Sequence, residues 1–341
     1  MGGQIRLCDL FPEYLSDIQS DGYIALTYEG KTKRVSPALV TSDVRQAIRG
    51  AGLIMVATPA FTHKMIAKAC ADWLEDGQII VLNPGRTGGA LEFLTTVRDC
   101  GCTKNIVIAE TQTLIYSCRK TAGNAVSIYG VKNAVDISAF PANQIDKVLT
   151  ALRPYYEQFQ PVKNGLCTSL ANIGSMFHPT PILLNIGRIE NDARGFRYYW
   201  DGITPTVADL IETLDAERLA VAESYGVSVL SAKEWLLHSY QTHGETLYER
   251  IQNNASYGEI LAPKTIQARY MTEDVPTGLV PIAALGDVTG VDTPAIDAVI
   301  TIACAIYHAD FRAEGRSLKN LGIEGMTKDE ILHYFETGVK P

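Results

Sequence analysis

Short continuous apolar runs alternate with amphipathic stretches through the first half of the chain. Residues 52–58, 78–82 and 105–109 are the clearest runs, and residues 60–74 and 90–97 carry helical spacing between them. Continuous apolar runs mark strands buried on both faces, and helices between them mark a parallel sheet. Residues 5–8 read as an earlier strand closing at Asp9. Residues 23–28 and 31–35 flank Glu29 and Gly30 and read as a hairpin, while residues 126–140 add further strand around a turn at 130–133. From about residue 166 the period becomes helical, over 181–189, 206–225, 231–238, 246–252, 279–285, 294–308 and 327–337. The pattern predicts an α/β chain with a Rossmann-like doubly wound sheet over 1–165 and an all-helical domain over 166–341.

Such a sheet normally opens with a strand, a glycine-rich turn and a helix before its second strand. Residues 5–9 already look like that second strand, so the sheet is expected to be N-terminally incomplete. The glycines at 85, 88 and 89 fit neither GxGxxG nor GxxxxGK[ST] and do not replace the missing turn. A sheet built this way is expected to hold a dinucleotide weakly and to expose a strand edge.

Composition narrows the class further. A chain of 341 residues, 46% hydrophobic and 20% charged, is large enough for two ordinary globular domains. Its net charge of -8 and the lack of any Lys/Arg block argue against nucleic acid and anionic membranes. No apolar run reaches the length of a membrane span. Seven cysteines, an odd number, point to reduced thiols and a cytoplasmic location. Cys100 and Cys102 are too close for half of a zinc ribbon, and no metal is expected.

Ligands of doubly wound sheets collect outside the carboxyl ends of the strands. Asp9 stands at one such end, where a carboxylate can hydrogen-bond ribose hydroxyls and repel a 2′-phosphate. Thr58 and Pro59 close the next strand, Asn83 the third, and Glu110 with Thr111 the fourth. In the helical half, His178 precedes Pro179 and Pro181 at the mouth of an apolar helix. Proline fits a first helical turn, where a missing N–H costs nothing, and the free N–H groups there disfavour an imidazolium. A histidine so placed suits general acid/base work, though the run alone also fits one that merely caps a helix. Arg269 lies five residues before Asp274, and a planar guanidinium can clamp a carboxylate with two parallel hydrogen bonds.

Several runs together resemble the opine dehydrogenases, the octopine/nopaline dehydrogenase family. They are 56–60, 83–90, 109–111, 175–190, 269–281 and 290–297, and the resemblance extends from about residue 5 to the C-terminus. It implies an NAD(P)H-dependent oxidoreductase acting on CH–NH donors, with a helical domain like the C-terminal part of 6-phosphogluconate dehydrogenase. The implied reaction is reductive condensation of a 2-oxo acid with the amino group of an amino acid. His178 and Asp274 are then the catalytic pair, the aspartate holding the second ring nitrogen. Arg269, Glu110, Thr111 and Asn172 face substrate. Asp9, Thr58, Pro59 and Asn83 face the cofactor, with NAD(H) preferred over NADP(H), and homodimerisation stays open. Two rivals remain at this point: a related dehydrogenase reducing a simple 2-oxo acid, and a non-catalytic remnant with impaired cofactor binding.

Overall fold

The computed structural model describes residues 4–341. They form two compact units. One comprises the chain up to Gly85 with Ala90–Gly165 and Glu336–Gly338; the other comprises Arg86–Gly89, Leu166–Phe335 and Val339–Pro341.

The first unit contains the strands β1 (Arg6–Cys8), β2 (Ile24–Tyr28), β3 (Lys31–Val35), β4 (Leu39–Thr41), β5 (Leu53–Val56), β6 (Ile79–Leu82), β7 (Val107–Thr111), β8 (Tyr116–Ala122), β9 (Ala125–Val131), β10 (Val135–Phe140) and β11 (Phe159–Pro161). The central sheet runs β11-β10-β7-β6-β5. β5, β6 and β7 are parallel, whereas β10 returns antiparallel to β7. β6 and β7 are buried at every position, which is why residues 79–82 and 107–109 read as unbroken apolar runs, β7 then ending on the buried polar pair Glu110 and Thr111. The helix Ile145–Leu152 buries Val148, Leu149 and Leu152 against this sheet. Where one helix was expected over residues 60–74, the helix His63–Cys70 is flanked by single 3-10 turns.

β1 and β4 pair in parallel as a separate two-stranded sheet, with Leu7 opposite Val40. Among the described residues β1 does not pair with β5, the strand that a Rossmann order would place two positions away. The Arg6 guanidinium donates to the carbonyls of Gln46, Ala47 and Arg49, closing the C-terminus of the helix Val44–Ile48 where a cation is favoured.

The hairpin is present as β2 and β3. Glu29 and Gly30 take φ of 49° and 73°, the paired left-handed geometry of a tight type I′ turn. It belongs to a third sheet, ordered β3-β2-β9-β8, in which β2 lies parallel to β9. That pairing joins residues about a hundred positions apart, so local pattern could not supply it. Residues 126–140 accordingly divide, β9 going to this sheet and β10 to the central one.

The second unit is helical. Its longest helix, Pro205–Ser224, begins with Thr204 capping Val207 N and Pro205 in the first turn. Val207, Ile211, Leu214, Arg218 and Val221 form its buried stripe. The arginine in this apolar row is fully buried and ties three segments together. Its Nε and Nη2 donate to Asp215 Oδ1 at 2.9 and 2.6 Å, Nη2 also donates to Leu230 O, and Nη1 donates to Leu170 O. Asp215 Oδ2 in turn accepts from Ala232 N at 2.6 Å, at the start of the helix Ala232–Tyr240.

Two expected helices differ in their limits. The stretch 181–189 divides into Pro179–Leu184 and Ile186–Asn191. Asn185 makes the break, because its side-chain amide donates to Pro181 O and Gly202 O and competes with the backbone ladder. Upstream of the helix Val280–Thr289 lies one wide π turn, Val275–Leu279, preceded by a single helical turn at Arg269–Thr272. The wide turn accommodates Pro276 and Gly278, and Pro281 falls in the first turn of the helix that follows. No helix among the described residues is long and apolar enough to cross a membrane.

Candidate active site

His178 sits at the joint between the helical turn Gly174–Phe177 and the helix Pro179–Leu184. Its N–H donates to Gly174 O, and its carbonyl accepts from Tyr198 Oη at 2.7 Å, so the backbone is pinned on both sides. The side chain makes no cap bond. It turns instead to Asp274, whose Oδ2 lies 2.7 Å from His178 Nδ1. The Tyr270 ring stacks on the imidazole at 4.1 Å with an interplanar angle of 11°, and Tyr199 Oη lies 3.4 Å from Nε2.

Asp274 is 1% exposed, and its Oδ1 makes no hydrogen bond. Burial alone would push its carboxyl up. The nearby Arg86 guanidinium and His178 reverse that, and hold Asp274 below the ordinary carboxylate value. Asp274 is therefore ionised at neutral pH and suited to accept a hydrogen bond from Nδ1–H, which leaves Nε2 as the ring nitrogen away from the carboxylate.

Arg86 reaches this cluster from a loop far away in sequence. Nη1 lies 3.8 Å from Asp274 Oδ1 and donates to Asn172 Oδ1 at 3.3 Å. Nε makes no hydrogen bond and stands 3.6 Å from Glu273 Oε1, an ion-pair distance. Burial would loosen the guanidinium proton, but the charges of Asp274 and Glu273 outweigh it and raise the pKa further. The residue itself has φ of 60°, an uncommon left-handed conformation for arginine. Its neighbours over-determine it. Thr87 N donates to Thr277 O, Thr87 Oγ1 to Ser169 O, Gly88 N to Ser169 Oγ, and the buried Arg316 Nη1 to Thr87 O.

Two glycines allow these groups to converge. A Cβ on Gly174 would fall 2.6 Å from Arg86 Nη1 and 3.0 Å from Asp274 Oδ1; one on Gly278 would fall 2.6 Å from Ser175 Cβ. The π turn and the turn before His178 can thus approach closely only where side chains are missing.

Arg269, the arginine singled out in the sequence, is 56% exposed and pairs with Glu273, Nε to Oε2 being 3.0 Å. Asn172 is buried and joins Arg86 to the Thr87 hydroxyl. In the first unit Glu110 is buried at the end of β7, and its Oε2 accepts from Ala90 N at 2.8 Å. Thr111 Oγ1 lies 3.0 Å from Asn83 Oδ1, which knits the ends of β6 and β7 together. Thr58 Oγ1 is bonded to Thr62 Oγ1 at 2.7 Å, with Pro59 leading into the 3-10 turn Ala60–Thr62. Asp9 commits Oδ1 to the Phe11 amide at the end of β1. The described residues hold no cluster able to ligate a metal.

Comparison with known proteins decides the family. Residues 161–307 match the NAD/NADP octopine/nopaline dehydrogenase alpha-helical domain. The opine dehydrogenase of Arthrobacter sp. (strain 1C) is 38% identical over 326 residues, covering 96% of this chain and 90% of that protein. The chain belongs to the opine dehydrogenase family. More distantly, the octopine dehydrogenase of Mizuhopecten yessoensis is 26% identical over 78% of this chain and 72% of its own. A solved octopine dehydrogenase bound to NADH and L-arginine superposes with a TM-score of 0.82 at 24% identity, over 100% of this chain and 93% of that one. That likeness establishes the shared fold, a Rossmann-like sheet with a helical domain.

As an opine dehydrogenase the protein is an NAD(P)-dependent oxidoreductase that condenses a keto acid reductively with an amino acid. The residues at the carboxyl ends of the parallel strands suit a nicotinamide dinucleotide: a carboxylate at Asp9 for a ribose diol, and a proline-stiffened backbone at Thr58 and Pro59. Sequence reasoning missed Arg86, Tyr199 and Tyr270. Arg86 lies inside a glycine-rich run that fits no phosphate-binding motif, and a single arginine among three glycines was its available signal. Tyr270 adjoins Arg269 but carries no signature of its own.

Proposed function

We propose that His178 is the acid/base of an imine-forming and imine-reducing site, with Asp274 fixing its tautomer. The 2.7 Å contact between a buried, ionised Asp274 and His178 Nδ1 carries this reading. His178 Nε2 takes a proton from the ammonium of the amino acid, and the free amine then adds to the carbonyl carbon of the 2-oxo acid to give a carbinolamine. His178 returns a proton to the carbinolamine hydroxyl, which leaves as water. The nicotinamide, when bound, supplies a hydride to the imine carbon. Arg86, whose guanidinium Asp274 and Glu273 hold charged beside the dyad, is the group best suited to a substrate carboxylate. Arg269 offers a second, more exposed cation. Asn172 acts through Arg86, and Glu110 and Thr111 shape the strand ends.

The deciding experiment is NADH oxidation with a 2-oxo acid in the presence and absence of amino acids. Turnover is expected only with the amine, and the product should contain a secondary amine. Equal turnover without amine, giving a 2-hydroxy acid, would overturn the reading in favour of a simple 2-oxo acid reductase.

Cofactor choice is read from Asp9, whose carboxylate suits the ribose hydroxyls of NADH and repels a 2′-phosphate. Wild type should prefer NADH. Asp9→Ser should narrow the ratio of kcat/KM values by roughly tenfold, the worth of one charge-assisted hydrogen bond at about 1.5 kcal/mol. A wild type that prefers NADPH would remove Asp9 from this role.

A further inference from the structure

His178 gives Nδ1 to Asp274, so Nε2 is its working nitrogen, and the polar group facing Nε2 is the Tyr199 hydroxyl at 3.4 Å. We propose that Tyr199 is a positioning residue for His178, its hydroxyl holding the working nitrogen in place in both protonation states of the ring. The proposal rests on His178 acting as the acid/base.

Tyr199 is itself fixed without help from His178. Its ring stacks on Tyr257 at 3.9 Å and 15°, and meets Tyr198 edge-on at 4.9 Å and 87°. Tyr198 also holds the His178 carbonyl, so ring and backbone are referenced to one aromatic cluster. The phenol is buried, and that burial, with Tyr270 adding to it, pushes the Tyr199 pKa well above its ordinary value. Tyr199 therefore keeps its proton throughout the working range.

A neutral hydroxyl can serve either state of the ring. While His178 is neutral, Nε2 presents a lone pair and Tyr199 O–H donates to it. Once the ring has taken a proton from substrate, Nε2–H donates and the Tyr199 oxygen accepts. The hydroxyl turns, and no net charge moves. At 3.4 Å the contact is at the long end for a hydrogen bond, so an incoming substrate atom displaces it at little cost. Between the proton transfers the hydroxyl keeps Nε2 aimed, where misplacement by about 1 Å can cost on the order of a hundredfold in rate.

The test is Tyr199→Phe, which deletes the hydroxyl and leaves both ring contacts. With a wild-type melting temperature, kcat should fall about 10- to 100-fold while KM for oxo acid and amino acid stays within about twofold, and the solvent deuterium isotope effect on kcat should rise. Tyr257→Phe, which removes a neighbouring phenol hydroxyl that does not face His178, should leave kcat within about threefold. A Tyr199→Phe enzyme with wild-type kcat and isotope effect would overturn the proposal, as would a rise in KM at unchanged kcat. Should that variant fail to fold, 3-fluorotyrosine at position 199 keeps the shape and strengthens the donor. Its kcat and isotope effect should then differ from wild type, and identity would overturn the proposal. Amine-independent oxidation by wild type would sink the condensation reading alone, because the same assay would still report on His178.

Discussion

Replacing His178 with alanine is expected to lower kcat by about two to four orders of magnitude, the usual worth of a general acid/base. The loss should appear in kcat more than in KM, since the proposed role sets the imidazole on the reacting atoms. Asp274→Asn should fall similarly. An amide that donates to Nδ1 would place the ring proton on Nε2, removing the lone pair that accepts the substrate proton. The same change leaves the half-buried Arg86 facing one carboxylate fewer, so the melting temperature must be read alongside turnover. Asp274 also sets a pH expectation. Its folded-state pKa is depressed, so its contribution to stability is complete above the unfolded value of about 3.9 and is lost as pH falls through the lower folded one. Activity lost well above that window has another origin. Wild-type turnover by His178→Ala would remove this residue from the mechanism.

The second large effect is structural. Arg218→Met is expected to destabilise the helical unit by about 3–5 kcal/mol, because it leaves the buried Asp215 carboxylate without its cation. The carbonyls of Leu170 and Leu230 lose a donor at the same time. Urea unfolding followed by circular dichroism measures the change. Adding Asp215→Leu should recover most of the loss, since an apolar pair of similar volume is often as stable as a buried ion pair. Failure of Arg218→Met to shift the transition would mean that the pair carries no net stability.

What could be read from sequence follows the range of each interaction. β6 and the first three residues of β7 were legible because burial on both faces keeps those positions apolar. The hairpin was legible because Glu29 and Gly30 sit where a tight turn needs left-handed backbone. The partnership of β2 with β9 was not, since neither strand carries a mark of the other. His178 announced itself through its prolines. Its pairing with Asp274 spans 96 residues and came from the family resemblance rather than from spacing. Arg86 stayed hidden because nothing in its own loop says that the helical unit surrounds it. Asn185 and the π turn at Val275–Leu279 show the remaining limit: side-chain competition and wide turns alter helix ends in ways a 3.6-residue period does not register.

The membership of Arg86–Gly89 in the helical unit bears on how such proteins can be recombined. A chimera spliced near residue 166 would import His178, Asp274 and Asn172 from one parent and the arginine beside them from the other. Such a hybrid keeps the Arg86 contacts to Asn172 and Asp274 only if the donor of the first half supplies a compatible four-residue insert. Grafting Arg86–Gly89 together with the helical half is therefore the minimal exchange that keeps the inherited cluster whole.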